Sequence, residues 1–132
     1  MDLITANTIL YCGQWDATVR FFRDGLGLPV TFAADWFVEF RSAPDSRLSV
    51  ADERRASIKS SGGGGMTISL QVGDIGAAWE HAEKMGLKPT AIKEHPWGAK
   101  VFYLVDPEGH RIEMWQRWPV SAAGNAGAPW TI

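Results

Sequence analysis

The sequence predicts an α+β fold made of two βαβββ modules. Three observations carry this: the chain repeats its own plan, the two halves are separated by a glycine run, and period-2 and period-3.6 patterns alternate in the same order in each half. The run is Gly62 to Gly65, following Ser60-Ser61. Four glycines offer little to pack and cost much entropy to order, so the run reads as a linker at 60–65. The modules then span about 5–52 and 66–118 of a single domain of 132 residues, a length within the common range for one domain.

Each half opens on a strand. The first is Asn7-Thr8-Ile9-Leu10-Tyr11-Cys12-Gly13, the second Thr67-Ile68-Ser69-Leu70-Gln71-Val72-Gly73. In the second, Ile68, Leu70 and Val72 alternate with Thr67, Ser69 and Gln71, the mark of a strand with one apolar and one polar face. A helix follows each. Over 14–24, Trp15, Val19 and Phe22 recur at helical spacing. In the other half Asp74 is an N-cap candidate ahead of Ile75, Trp79, Ala82 and Met85. Both helices stop at a glycine followed by leucine, Gly27-Leu28 and Gly86-Leu87, as expected of a left-handed C-terminal cap.

Strands return after each helix. Trp36 to Arg41 corresponds to Lys100 to Val105, and Arg47 to Val50 corresponds to Arg111 to Met114, with no gap between them. The turns joining them are Ala43-Pro44-Asp45-Ser46 and Pro107-Glu108-Gly109-His110, the latter preceded by Asp106. One such module cannot cover its own sheet, so two must pack.

Composition narrows the function classes. A formal net charge of -2 gives no basic excess for nucleic acid or an anionic membrane surface. No stretch approaches the roughly 18 apolar residues of a membrane span. Met1-Asp2-Leu3-Ile4 lacks the charged start of a signal peptide. The single cysteine, Cys12, allows no intrachain disulfide and fits a reducing cytoplasm; it is expected to face a helix as a small buried residue. The seven tryptophans are expected mainly in core and edge packing, with the alternative that a few line a site for a flat or apolar ligand.

Alternation sorts the strand faces. Val38, Phe40, Leu48, Val50, Phe102, Leu104, Ile112 and Met114 belong under the helices. The opposite face carries Asn7, Tyr11, Phe37, Glu39, Arg41, Arg47, Ser49, Thr67, Ser69, Tyr103, Arg111, Glu113 and Trp115. That mixture of rings and charges is the composition of a ligand cavity. Of the histidines, His81 is expected on a solvated helix face, His110 in an exposed turn, and His95 in the loop before Pro96-Trp97-Gly98. None forms a nucleophile–base arrangement with a serine or with Cys12.

Gly13-Gln14-Trp15-Asp16-Ala17-Thr18-Val19-Arg20-Phe21-Phe22, Gly73-Asp74-Ile75-Gly76-Ala77-Ala78-Trp79 and above all Trp97-Gly98 through Asp106-Pro107-Glu108-Gly109-His110-Arg111-Ile112-Glu113-Met114 give the chain, from about Asn7 to Trp115, a pattern that resembles the vicinal oxygen chelate (glyoxalase/bleomycin resistance protein/extradiol dioxygenase) superfamily. The resemblance implies a cup-shaped mixed β-sheet barrel with helices outside. Its members include isomerases, ring-cleaving dioxygenases, epimerases, thiol transferases and metal-free drug-binding proteins, so it does not choose an activity. Metal-dependent members place ligands on the first and last strand of each module; here those positions hold Asn7, Ser49, Thr67 and Glu113. Only Glu113 is a strong donor, so no metal or other cofactor is expected.

Two functions follow. The first is a metal-free protein sequestering a small, partly aromatic compound, with Tyr11, Phe37, Glu39, Arg47, Trp97, Tyr103, Arg111, Glu113 and Trp115 as contacts, Trp97 near the mouth of the cup, and a homodimer as the working assembly. The alternative is a metal-dependent lyase, isomerase or extradiol dioxygenase of the same superfamily, or a metal-free catalyst with Glu113 as general base. An interaction or regulatory module is a third, weaker reading. The tail Ser121 to Ile132 is expected to dock through Trp130.

Overall fold

A computed structural model describes residues 1–118; the expectation for Trp130 and its tail lies outside the described residues. The described residues fall into two compact units, Met1–Met66 with Val105–His110, and Thr67–Leu104 with Arg111–Trp118. Each contains a four-stranded mixed sheet.

In the first unit β1 (Ala6–Cys12) is followed by α1 (Trp15–Arg20), which widens into a π-helical segment over Phe21–Gly25. Then come β2 (Val30–Ala33), β3 (Phe37–Ala43) and β4 (Ser46–Asp52), and a short 3-10 turn over Glu53–Arg55. The sheet order is β1-β4-β3-β2. β1 runs parallel to β4, and β3 is antiparallel to both β4 and β2. The crossover from β1 through α1 makes the parallel pair possible. Val38, Phe40, Leu48 and Val50 are buried. The Phe22 ring lies 6.1 Å from that of Phe40, so the helical segment covers this face. The Trp15 indole donates to the Val50 carbonyl at 2.9 Å.

The second unit repeats the plan: β5 (Thr67–Gln71), α2 (Ile75–Lys84), β6 (Lys93–His95), β7 (Ala99–Val105) and β8 (Arg111–Arg117), in the order β5-β8-β7-β6. Phe102, Leu104, Ile112 and Met114 are buried with Ile75 and Ala82 of α2. The registers agree between units. Asn7 pairs with Arg47 as Thr67 pairs with Arg111, and Ile9 with Ser49 as Ser69 with Glu113. Both sheets are open within their unit, ending at β1 and β2 or at β5 and β6. The expected two-module plan, a four-stranded mixed sheet with a helix in each unit, is present.

The helix ends behave as their sequences ask. Gly86 takes φ +73°, its N–H bonds the Glu83 carbonyl and the Leu87 N–H bonds the Ala82 carbonyl, both at 3.0 Å, which closes α2. Gly27, at φ +71°, ends the first helical segment. The starts differ. Asp74 caps α2 through its own side chain, accepting from the Ala77 N–H at 3.0 Å. Gln14 supplies no side-chain cap to α1. The Glu108 carboxylate does so instead, accepting from the Gln14 N–H at 2.7 Å and the Gly13 N–H at 3.0 Å. The glycine run is also more than a spacer. Gly63 is buried against the Gly109 backbone so closely that a Cβ would lie 2.4 Å from the Gly109 carbonyl.

Two expectations are corrected. His110 is not an exposed turn residue: it is 3% exposed, and its ring Nδ1 lies 2.7 Å from Asp106 Oδ2. Asp106 also accepts from the Glu108, Gly109 and His110 N–H groups, so its carboxylate organises the whole turn. Histidine fills that space because a buried carboxylate needs donors on both oxygens. His95, placed in a loop by the sequence, closes strand β6, with Lys93 paired to Val101.

Candidate functional site

In the first unit the face opposite α1 carries a continuous hydrogen-bonded network. Ser49 is fully buried and donates to the Asn7 side-chain oxygen at 2.8 Å. The Asn7 amide reaches Glu39 at 3.5 Å, Thr31 donates to Glu39 at 2.8 Å, and Arg47 stands 3.9 Å from the same carboxylate. Glu39 and Arg47, both half-buried, therefore offset each other's charge. Phe37, on the same strand, packs its ring 6.3 Å from Phe32 and 5.5 Å from Trp36. Tyr11 is half-buried at the register position opposite Ala51.

In the second unit the corresponding face carries Thr67, Ser69, Tyr103, Arg111, Glu113 and Trp115. Ser69 donates to Glu113 at 2.7 Å, and the Tyr103 hydroxyl approaches the other carboxylate oxygen at 3.5 Å. Arg111 donates through Nε to Thr67 at 2.9 Å and holds its guanidinium 4.8 Å over the Tyr103 ring. Trp115 is half-buried on β8 opposite Gln71. Trp97 lies in the turn between β6 and β7, its ring stacked on His95 at 5.1 Å. Tyr103, Arg111 and Glu113 thus meet in one cluster, and Glu39 and Arg47 in another, each within its own unit.

The metal implied by the superfamily does not fit these donors. Asn7 and Ser49 are spent on each other and on Glu39, and the Thr67 hydroxyl is taken by a guanidinium whose positive charge repels a second cation. Glu113 is the single anionic donor of the four positions, against the roughly three charged or imidazole donors of a catalytic site. Among the described residues no three His, Cys, Asp or Glu side chains converge to hold a metal ion.

Sequence reasoning missed Glu108. Besides the N–H groups of Gly13 and Gln14 ahead of α1, it accepts from the Ser60 hydroxyl. Burial pushes its carboxyl up, but the hydrogen bonds from Ser60, Gln14 and Gly13, together with the positive potential of His110, outweigh that and hold it below its ordinary value. Cys12 is buried as expected. Burial, aided by the charges of Glu108 and Asp106, pushes its thiol up to about 12, which leaves it inert. A cavity of about 310 Å³ opens beside α1, lined by Gly13 to Ala17, Arg20, Glu53 and Arg54. It contains none of the sequence-predicted contact residues.

Comparison with known proteins fixes the family. The chain is similar in structure to a glyoxalase/bleomycin resistance protein/dioxygenase from Nocardioides, at 20% identity and TM-score 0.72, covering 96% of this chain and 91% of that one. It is similar to a lactoylglutathione lyase from Agrobacterium tumefaciens, at 20% identity and TM-score 0.68, covering 83% and 90%. It is also similar to an antibiotic-binding protein from a Streptomyces species, at 16% identity and TM-score 0.69, covering 86% and 94%. At such identities these likenesses concern the fold. No curated protein matches the sequence. The family pattern described as the glyoxalase/bleomycin resistance protein/dioxygenase superfamily matches residues 4–114, and the chain belongs to that superfamily.

Proposed function

We propose that this chain is a metal-independent binding protein that sequesters a small, partly aromatic molecule. One observation carries the reading: the four metal-ligand positions of the superfamily hold three neutral groups and one carboxylate, already hydrogen-bonded to neighbouring protein groups, on sheet faces that also carry Tyr11, Phe37, Tyr103 and Trp115. Rings give large contact area at low entropy cost, and Glu39, Arg47, Arg111 and Glu113 set the polarity of what binds. Trp97 is assigned to the rim.

The antibiotic-binding neighbour makes such a role available to this fold. The alternative, a metal-dependent lyase, isomerase or dioxygenase, requires donors that Asn7, Ser49 and Thr67 do not supply. The test is a thermal-shift screen of flat aromatic compounds and peptide antibiotics in the presence of a chelator. A ligand that binds only the folded state raises the melting temperature. The reading fails if the purified protein carries stoichiometric zinc, iron, manganese or nickel and turns over a substrate only with that metal.

The working assembly is proposed to be a homodimer in the cytoplasm. β2 is exposed along its length and forms a sheet edge, which invites pairing with a second copy. The lone buried cysteine suits a reducing compartment. A monomer mass by light scattering, unchanged with concentration at micromolar levels, would remove the dimer.

A further inference from the structure

A surface segment following β4 has no part in either polar sheet face: Arg54-Arg55-Ala56-Ser57-Ile58. Two guanidiniums stand three and two residues before a serine, a small residue lies between, and a branched apolar residue follows. The fold turns these groups outward. Ser57 is exposed, and among the described residues its hydroxyl has no hydrogen-bond partner. Ile58 leaves 55% of its surface in water, where an apolar side chain gains nothing. The side chains of Arg54 and Arg55 are 76% and 57% exposed.

The two ends of the segment are held and its middle is not. The Arg54 N–H bonds the Asp52 side chain at 3.0 Å, and the Ser60 N–H bonds the Glu53 carboxylate at 3.0 Å. The Lys59 ammonium donates to the Glu53 and Ala56 carbonyls at 2.7 and 3.0 Å. Between these anchors the backbone groups of Ser57, Ile58 and Lys59 make no hydrogen bond among the described residues, and Ala56 leads into them extended, at φ -125° and ψ 154°. Such a segment can lie extended in another protein's groove without breaking a strand or helix. The guanidiniums are engaged to different degrees. Arg55 reaches Asp35 at 3.4 Å across an exposed pair, which contributes little and exchanges readily for another carboxylate. Arg54 is held more firmly, 2.6 Å from Asp52, whose side chain is 5% exposed.

We infer that Ser57 is a phosphorylation site for a serine kinase with an acidic peptide groove and an apolar pocket for the residue after the serine. Carboxylates of the groove take Arg55 and Arg54, and Ile58 fills the pocket. Ser57 Oγ attacks the γ-phosphorus of the kinase's Mg-ATP. The Oγ–P bond forms, the bond to the β,γ-bridging oxygen breaks to release ADP, and the hydroxyl proton passes to the kinase's catalytic carboxylate. No contact residue of the proposed ligand site takes part, so this inference stands independently of the binding function.

The test incubates the folded, full-length protein with Mg-ATP and the catalytic subunit of cyclic-AMP-dependent protein kinase, whose groove is acidic. A casein kinase that selects acidic neighbours serves as the comparison. Intact mass should show a single added phosphate with the first kinase and none with the second, and fragmentation should place it on Ser57. Ser57→Ala should abolish incorporation. Arg55→Ala should lower kcat/KM about tenfold or more, the value of one hydrogen bond to a charged group. Thermal melts show whether the variants are folded, and the contrast between the two kinases on wild type stands without any variant. The assignment is overturned if wild type takes up no phosphate, or takes it up only when unfolded. It is equally overturned if the phosphate lies on another serine such as Ser60 or Ser61, if both kinases act alike, or if folded Arg55→Ala is phosphorylated as efficiently as wild type.

Discussion

The two units share strand order, register and helix placement, yet they settle their charges and anchor their helices in opposite ways. On the polar face of the first sheet, Glu39 and Arg47 neutralise each other inside a network that ends on buried Ser49. On the second, Arg111 and Glu113 take neutral partners, Thr67 and Ser69, with Tyr103 touching both. The helices show the converse. α2 carries its own cap in Asp74, whereas α1 borrows Glu108 from a turn 94 residues away in sequence. A duplicated plan therefore leaves one unit with a locally capped helix and charges held by neutral partners, and the other with a paired Glu39 and Arg47 and a helix that depends on a distant turn.

The strongest way to break that dependence is Gly63→Ala. The new Cβ meets the Gly109 backbone at 2.4 Å and the position holds φ +82°, so the turn bearing Asp106, Glu108 and His110 must move. A loss of about 3 kcal/mol or more is expected in denaturant unfolding, combining strain with disruption of a buried network. Gly65→Ala also has positive φ but meets nothing within 4 Å, and should cost about 1 kcal/mol.

Next comes the pair of caps. Glu108→Ala removes an acceptor from two backbone N–H groups and from Ser60, and about 2 kcal/mol should be lost; Asp74→Ala removes a single-bond cap, at about 1 kcal/mol. Equal losses would erase the distinction between the two helix starts. Acidity separates them further. The folded-state value of Glu108 lies below the ordinary 4.5, so the ionised carboxylate stabilises the fold above that value, and this contribution is lost as pH falls through the folded-state value. Unfolding free energy measured against pH should therefore fall less steeply below that value in Glu108→Gln than in wild type.

Smaller effects test the charged faces. Arg47→Ala and Arg111→Ala should each change stability by no more than about 1 kcal/mol, because a half-exposed ion pair, in the case of Arg47, and an exposed hydrogen bond with a ring contact, in the case of Arg111, contribute little. Their consequences belong in ligand affinity. Cys12, with its thiol pushed up to about 12 and no exposure, should resist iodoacetamide in the native protein and react fully once unfolded, as mass spectrometry would read directly.

Much of this was legible in the sequence because it rests on local rules. Alternation assigned Phe40, Leu48, Phe102 and Ile112 to the core, Gly27 and Gly86 announced the helix ends, and Asp74 the start of α2. What escaped had no local signature. β2 and β6 are edge strands: Val30 to Ala33 is exposed throughout, and Lys93-Glu94-His95 carries no apolar alternation, so neither needed a hydrophobic pattern. The Asp106–His110 pair looked like an ordinary polar turn, since turn chemistry does not reveal whether the turn is buried. The Glu108 cap left only an indirect trace: Gln14, a poor capping residue, stands where a Ser, Thr, Asp or Asn would have closed the helix locally. In the candidate site the residue list was readable from alternation, but not which charges cancel, because the 3.9 Å contact between Glu39 and Arg47 and the diversion of Arg111 to Thr67 depend on rotamers.

A small molecule is proposed to bind this protein without a metal. Protein dialysed against a chelator, and the same protein resupplied in turn with zinc, manganese, nickel and ferrous iron, should be titrated with the best compound from the aromatic screen. Equal affinity in every sample, with no turnover in any, is the predicted result. Binding or product formation that appears only when one metal is restored would make the protein metal-dependent and rule out metal-independent binding.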